Sequence, residues 1–337
     1  MTEQPAPSEQ PPERLDQFMA RANAIYYATH DPFADFTTSP EISQVFGEII
    51  GLWAAVTWQL LGRPDPVSLV EAGPGRGTLM ADALRAIRQA APDFAAALRV
   101  HFIETSPRLR VVQASRVADA AWHDDLSTVP DQPMILLANE FLDALPIRQF
   151  VRRGTGWTER YVDAGQWLEL PADPANVPVG RVATEGAIVE LNEPARDFVS
   201  AVSARLRHHT GAALFLDYGP EHSAAGDSLQ ALADKQPVDP LSPPGSADLT
   251  VHGDFAVLAG VARAAGAGVQ GPAAQGAFLM DLGLLQRTER LARGRSSAEG
   301  TMLVEAAQRL AGPMGHLFKV MAVCSAGCPP LPGLPVR

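Results

Sequence analysis

The sequence predicts an α/β fold, a mostly parallel sheet covered on both faces, on three observations. Short apolar runs such as Val67 to Ala72 and Met134 to Ala138 alternate with amphipathic helical stretches. A glycine turn, Gly73 to Gly77, separates the first run from the helix after it. The 337 residues, 46% hydrophobic and 19% charged, permit a large buried core and exclude a disordered or coiled-coil chain.

The elements follow in order. Met1 to Glu13 is rich in Pro, Gln and Glu and lacks the features of a secretory signal or transit peptide. It reads as a disordered tail (1–14) on a cytoplasmic protein. Leu15 to His30 has helical spacing at Leu15, Phe18, Met19, Ala22, Ile25 and Tyr26. Ser39 is a good N-cap and Pro40 a good first residue for a helix running to Leu61, which Gly62 and Pro64 end. Val67 to Ala72 reads as a buried strand and Thr78 to Ala90 as a helix with Leu79, Ala83, Leu84 and Ile87 on one face. Leu98 to Ile103 is a second strand, Ser106 to Ala118 a helix, Ala121-Trp122 a brief strand, and Met134 to Ala138 another buried one.

After Pro146, Arg148 to Arg153 and Trp157 to Val162 alternate around a glycine turn, as an inserted hairpin does. Asn192 to His209 is helical, with Asn192 as cap, and Ala212 to Leu216 is a strand leading to Asp217-Tyr218-Gly219. Pro220 to Leu249, rich in Pro, Ser and Asp, is too long for a passive connection. It is either a substrate-facing loop or disordered. Asp254 to Ala265, the segment after Gly276 and Gly300 to Ala311 are helical, and Leu317 to Cys324 closes as a strand. His101 inside a strand reads as packed, and His208 and His209 as a helix C-terminus rather than metal ligands.

Charge and cysteine usage narrow the function classes. Lys plus Arg is 27 and Asp plus Glu 38, a net charge of −11. That argues against a nucleic-acid binder relying on a broad basic surface. Cys324 and Cys328 have no second pair to complete a zinc site, so no metal is expected, and two reduced thiols are. No apolar run reaches about 18 residues, so no membrane span is expected.

Two strings carry chemistry. The first is Glu71-Ala-Gly-Pro-Gly-Arg-Gly-Thr78, between a strand and a helix. Gly73, Gly75 and Gly77 let the backbone turn tightly, and the helix start offers free N–H groups. The G-x-G-x-G spacing departs from the G-x-G-x-x-G of dinucleotide enzymes, and an acid beside the loop favours a cationic or amino-bearing ligand. Glu104, at the end of the second strand, is placed to accept from ribose hydroxyls. The second string is Asn139-Glu-Phe-Leu-Asp-Ala-Leu-Pro146, at the carboxyl end of a buried strand. Asn139, Glu140 and Asp143 there either hold a cationic substrate or cap and complement a helix start.

Together with Phe36-Thr-Thr-Ser-Pro-Glu-Ile-Ser-Gln-Val-Phe-Gly-Glu48, Leu216-Asp-Tyr-Gly219 and Leu317-Phe-Lys-Val320, these strings resemble the MidA-like family of S-adenosylmethionine-dependent methyltransferases. The resemblance runs from about Leu15 to Pro332. It implies a class I methyltransferase (Rossmann-like), doubly wound, mostly parallel sheet with inserted substrate-binding elements. The core would be 65–147, 185–219 and 250–325. Residues 15–64 would form a helical cofactor-covering segment, and 148–184 and 220–249 the substrate region. Ser39, Pro40, Glu71, Gly73, Gly75, Gly77 and Thr78 would line S-adenosyl-L-methionine, with Glu104 on the ribose and Asp124 or Asp125 near the adenine. Asn139 and Glu140 would face the transferred methyl, with Asp143 a second contact to the acceptor. The family's mitochondrial member is a protein arginine methyltransferase needed for respiratory complex I assembly, so a complex I subunit is the implied protein substrate. The loop after Asp31-Pro32-Phe33 is shorter than is common in that family. The rival readings are a cofactor-binding assembly chaperone, a small-molecule methyltransferase and a nicotinamide-dependent oxidoreductase.

Overall fold

A computed structural model describes residues 11–30, 37–177 and 184–335. These fall into two compact units. One is drawn from Thr37–Asp143, Arg196–Ser223 and Gly253–Arg337, the other from Met1–Phe36, Ala144–Ala195 and Ala224–His252.

The first unit is built on seven strands: β1 (Val67–Ala72), β2 (Leu98–Ile103), β3 (Ala121–His123), β4 (Met134–Asn139), β5 (Gly211–Tyr218), β6 (Gly268–Ala274) and β7 (Phe318–Cys324). Their order is β6-β7-β5-β4-β1-β2-β3. Strands β1 to β5 run parallel to one another, and β7 lies antiparallel to both β5 and β6. Every residue of β1 and β4 is buried, which is why each reads as a continuous apolar run rather than an alternating one. Strand order reverses between β1 and β4, where Ala72 faces Ala138. The carboxyl ends of β1, β2, β4 and β5 therefore open on one edge, the place where such sheets bind ligands.

Helix Gln44–Leu60 packs on helix Thr78–Ala90. The approach is close enough that a Cβ on Gly51 would stand 2.6 Å from Ala83 Cα, so only glycine fits. Glu48, buried in this region, accepts from Arg85 (3.1 Å), Arg287 (2.6 Å) and Gln44 (3.1 Å). Burial alone would raise its pKa, but Arg287 and Arg85 outweigh that and hold it below the usual range.

In the second unit, Glu13–Arg14, Gly156–Asp163, Arg148–Arg153, Ile188–Leu191 and Gln166–Pro171 form a five-stranded sheet, antiparallel at every pairing. Helix Leu15–Thr29 buries Leu15, Phe18, Met19 and Ala22 in a core with Ile147, Val162, Leu229 and Leu249. Asn23 acts as a surrogate strand partner: its Nδ2 donates to Leu249 O (2.9 Å) and its Oδ1 accepts from Leu249 N–H (3.1 Å). Arg148 and Glu159, each with a side chain 5% exposed, form a bidentate pair at 2.7 and 3.0 Å.

Several expectations need correction. The helix expected from Ser39 to Leu61 is two pieces, Ser39–Ile42 and Gln44–Leu60. Ser43 between them is extended, and its hydroxyl caps the second by accepting from Val45 N–H (3.2 Å). Leu15–Thr29 falls in the compact unit that holds 144–195 and 224–252, while Ser39–Ile42 and Gln44–Leu60 fall in the other. Residues 220–249 are not disordered; they supply two strands of a small sheet, Gln236–Pro237 and Gln230–Ala233, completed by Asp248–Thr250. Glu13 and Arg14, at the edge of the expected tail, pair with Val162 and Tyr161. Residues 1–10 and the shortened loop at 31–36 lie outside the described residues. His101 is packed as expected but also shares a 3.0 Å hydrogen bond with His123. Strand β6 was not expected at all: Gly271 and Pro272 interrupt it, and its register shifts between Gln270 and Ala273. Among the described residues no helix is long and apolar enough to cross a membrane, and no cluster of three or more His, Cys, Asp or Glu is arranged to hold a metal ion.

Candidate functional site

The glycine turn leaves β1 at Ala72 and is pinned at once, Gly73 N–H donating to Ile103 O of β2 (3.0 Å). Gly73, Gly75 and Gly77 have φ of +63°, +54° and +76°, a region L side chains seldom adopt. A Cβ on Gly73 would stand 2.8 Å from Phe141 Cδ2. The glycine turn and the loop after β4 therefore touch. Helix Thr78–Ala90 starts after Gly77 with no side-chain cap. Its first-turn N–H groups and its dipole form an anion-favouring end.

Glu71 lies within β1 and is only 3% exposed. Burial pushes its carboxyl well above the usual range, opposed by the Met80 N–H. It is an interior acid beneath the turn, not a surface acid beside it. Thr78 is engaged by its neighbours: its hydroxyl donates to Glu41 and accepts from Arg116.

Glu104 follows β2. Oε1 accepts from Ser106 N–H (2.7 Å) and Oε2 from Gln113 Nε2 (3.0 Å), while Arg110 Nε donates to its carbonyl (2.8 Å). Burial raises the Glu104 pKa, and the Ser106 and Gln113 hydrogen bonds oppose that rise. After β3, exposed Asp124 pairs with Arg110 at 2.5 Å. Asp125 caps the turn Leu126–Thr128, accepting from Ser127 N–H at 2.7 Å. Both aspartates thus sit beyond β3 with local partners.

The loop after β4 forms no helix, so Asn139 is not a helix cap. Glu140 adopts φ +51°, strained for a residue with a Cβ. Asp217, fully buried at the end of β5, holds the loop in that shape. Its Oδ2 accepts from the N–H groups of Phe141 (3.2 Å), Leu142 (2.8 Å) and Asp143 (3.2 Å). Glu140 N–H itself donates to Leu216 O of β5 (2.9 Å). Glu140 Oε1 then accepts from Ser39 N–H (2.9 Å) and Asn139 Nδ2 (3.0 Å). Ser39 and Pro40, expected to line the cofactor, are both buried, and the Ser39 N–H is spent on this acid. Asp143, expected as a second acceptor contact, is only 5% exposed, and its amide faces Asp217.

The two neighbouring acids are both pushed toward protonation. Burial raises Glu140. Burial, and then the charge of Glu140, raise Asp217 to about 7. Asn139 Oδ1 is buried with no hydrogen-bond partner.

Sequence reasoning placed Asp217 on this rim but missed its grip on three amides, and it missed Gln113 and Glu41. Gln113 did leave a signal. It lies four residues after Leu109, so a polar amide occupies the apolar face of helix Pro107–Arg116.

Comparison with known proteins assigns the family. Residues 49–273 match the S-adenosyl-L-methionine-dependent methyltransferase family. The Mus musculus protein arginine methyltransferase NDUFAF7, mitochondrial, is 33% identical over 328 residues, covering 86% of this chain and 75% of that protein. The Homo sapiens protein of that name is 31% identical over 350 residues, covering 92% and 79%. A native crystal structure from Burkholderia thailandensis superposes with a TM-score of 0.81 at 26% identity, over 97% of this chain and 90% of that one. A Burkholderia thailandensis structure bound to S-adenosyl-homocysteine shares the fold, with a TM-score of 0.78 at 24% identity over 96% and 90%.

The site chemistry fits such a cofactor. A zwitterionic amino-acid end needs an anion-favouring helix start and a free acceptor for its ammonium. The uncapped Thr78–Ala90 helix and the unsatisfied Asn139 Oδ1 offer these. A ribose needs a hydrogen-bond acceptor that is held still, and Glu104 is tethered through both oxygens. With the family matched over more than half its length and relatives above 30% identity across most of it, the chain belongs to the S-adenosyl-L-methionine-dependent methyltransferases.

Proposed function

We propose that the chain is a protein arginine N-methyltransferase whose substrate is a subunit of respiratory complex I. The relatives at 33% and 31% identity are named protein arginine methyltransferases, and the sequence strings resemble a family whose mitochondrial member serves complex I assembly. The relatives' names place them in mitochondria, whereas the cytoplasmic expectation for this chain rested on Met1 to Glu13, mostly outside the described residues.

One observation carries the reading: a carboxylate, Glu140, held by Ser39 N–H and Asn139 Nδ2 one residue before Phe141, which abuts the glycine turn, and hydrogen-bonded by no lysine or arginine among the described residues. When bound, S-adenosylmethionine supplies an electrophilic methyl on a sulfonium, whose leaving group is a neutral thioether. The chain's task is then to hold and activate the acceptor.

A guanidinium is a poor nucleophile because its pKa lies above ~12. Glu140 Oε1 is occupied by Ser39 N–H and Asn139 Nδ2, which leaves Oε2 to grip a guanidinium N–H. That grip draws positive charge toward one nitrogen and leaves another to attack. Burial makes Glu140 more basic than an ordinary carboxylate, so it is better suited to take a guanidinium proton. Asn139 orients Glu140, and Asp217 fixes the loop carrying both. Asp143, buried and tied by its amide to Asp217, acts in this reading by shaping the loop rather than by touching the acceptor. The net charge of −11 suits a basic protein substrate.

The test is incubation with labelled cofactor and candidate complex I subunits, wild type against Glu140→Gln. Label on arginine that is lost in the variant supports the reading. Label transfer unaffected by the substitution removes Glu140 from the mechanism, and label on a small molecule alone removes the protein substrate.

A further inference from the structure

Gln113 is completely buried near the end of helix Pro107–Arg116, and every polar atom of its amide is used. Its Oε1 accepts from Trp122 Nε1 (2.8 Å). Its Nε2 donates to the Gly75 carbonyl (2.8 Å) and to Glu104 Oε2 (3.0 Å). An indole N–H can only donate, so Trp122 fixes which end of the amide is oxygen. The NH2 group must then face the glycine turn and the acid. Trp122 is itself fixed in β3, in register with Phe102 of β2. One amide therefore ties together the turn after β1, the acid after β2 and strand β3.

We propose that Gln113 is the positioning residue for the ribose of the cofactor, locking the Glu104 carboxylate and the Gly75 backbone into one rigid cradle. This rests on the reading of Glu104 as the ribose ligand. Gln113 touches no ligand; it acts through Glu104. It restrains Oε2 while Ser106 N–H restrains Oε1, so the carboxylate cannot rotate. It also turns the Gly75 carbonyl toward the helix, so that this acceptor does not compete for ribose hydroxyls. Met is the closest apolar replacement in length and shape, and it removes all three hydrogen bonds without opening a large cavity.

The experiment is calorimetric titration of the full chain with S-adenosylhomocysteine and with methylthioadenosine, which keeps the ribose but lacks the amino-acid end. The proteins are wild type, Gln113→Met, Glu104→Gln and the double variant. Gln113→Met is expected to weaken both ligands about tenfold, the scale of one hydrogen bond to a charged group. The double variant is expected to lose clearly less than the two single losses combined, because most of the Gln113 effect passes through that acid and only the Gly75 tie remains to be lost. Trp122→Phe keeps the glutamine but frees its amide to rotate. It is expected to weaken both ligands about two- to threefold, and it decides the matter if Gln113→Met does not fold. Wild-type affinity in a folded Gln113→Met, or fully additive losses in the double variant, overturns the proposal. If Glu104→Gln alone binds both ligands as the wild type does, the ribose reading of Glu104 is what fails.

Discussion

The β1–β2 side of the site and its β4–β5 side hold their acids in different ways. At Glu104 each carboxylate oxygen has a neutral donor, and the residue sits beside a turn of three left-handed glycines that the backbone itself secures. At Glu140 and Asp217 two carboxyl groups share one enclosure, and among the described residues no arginine or lysine hydrogen-bonds either one. In the first arrangement both carboxylate oxygens have neutral donors, and Arg110 binds the residue's own carbonyl instead. The second is short of a positive charge, which a guanidinium would supply. On the proposed reading the β1–β2 side holds the cofactor and the β4–β5 side handles the acceptor, and that division can be broken or sharpened by experiment.

The largest effect is expected at Glu140. Glu140→Gln should lower methyl transfer by at least about 100-fold while leaving S-adenosylhomocysteine affinity within about threefold. Radiolabel transfer and calorimetry check the two halves of that statement. Equal losses in both would erase the division between the sides.

Next comes the contact joining them. Gly73→Ala must place a Cβ 2.8 Å from Phe141 at φ +63°. A loss of about 1–2 kcal/mol in urea unfolding is expected from the backbone strain, together with weaker cofactor binding.

The Asp217 effect is a trend with pH. Its folded-state pKa is raised from 3.8 to about 7, so the folded chain keeps a proton that the unfolded chain has already released. Between those values its contribution to stability falls as pH rises. Wild type should therefore gain stability relative to Asp217→Asn as pH is lowered from 7 toward 4. Urea midpoints at several pH values test this, and a constant gap would contradict the raised pKa. Adding Glu140→Gln should shift the trend to lower pH, because Glu140 helps to raise Asp217.

The smallest effect is expected outside both enclosures. Asp124→Asn breaks an exposed pair with Arg110 and should change stability by less than about 0.5 kcal/mol.

Most of the β1–β2 side was legible in the sequence, for local reasons. Val67–Ala72 is buried on both faces and so is continuously apolar, Thr78–Ala90 is amphipathic, and the glycines stand between them. The β4–β5 side was legible in its residues but not in its wiring. Nothing in Leu216-Asp-Tyr-Gly219 says that Asp217 collects three amides from residues more than 70 positions earlier. The break at Ser43 was hidden because apolar periodicity runs through it from Ile42 to Val45. Strand β6 was hidden because an edge position tolerates Gly271 and Pro272. Gln113 announced itself only as a polar residue on an apolar face, and its partners become visible only once three strands are side by side.

The most direct measurement is a crystal structure of the full chain grown with S-adenosylhomocysteine. The ligand should lie over the glycine turn, with its ribose hydroxyls within hydrogen-bonding distance of Glu104 and its sulfur toward Glu140. A ligand bound elsewhere, or a Glu140 carboxylate closed off from the sulfur by protein, would contradict the two-sided site.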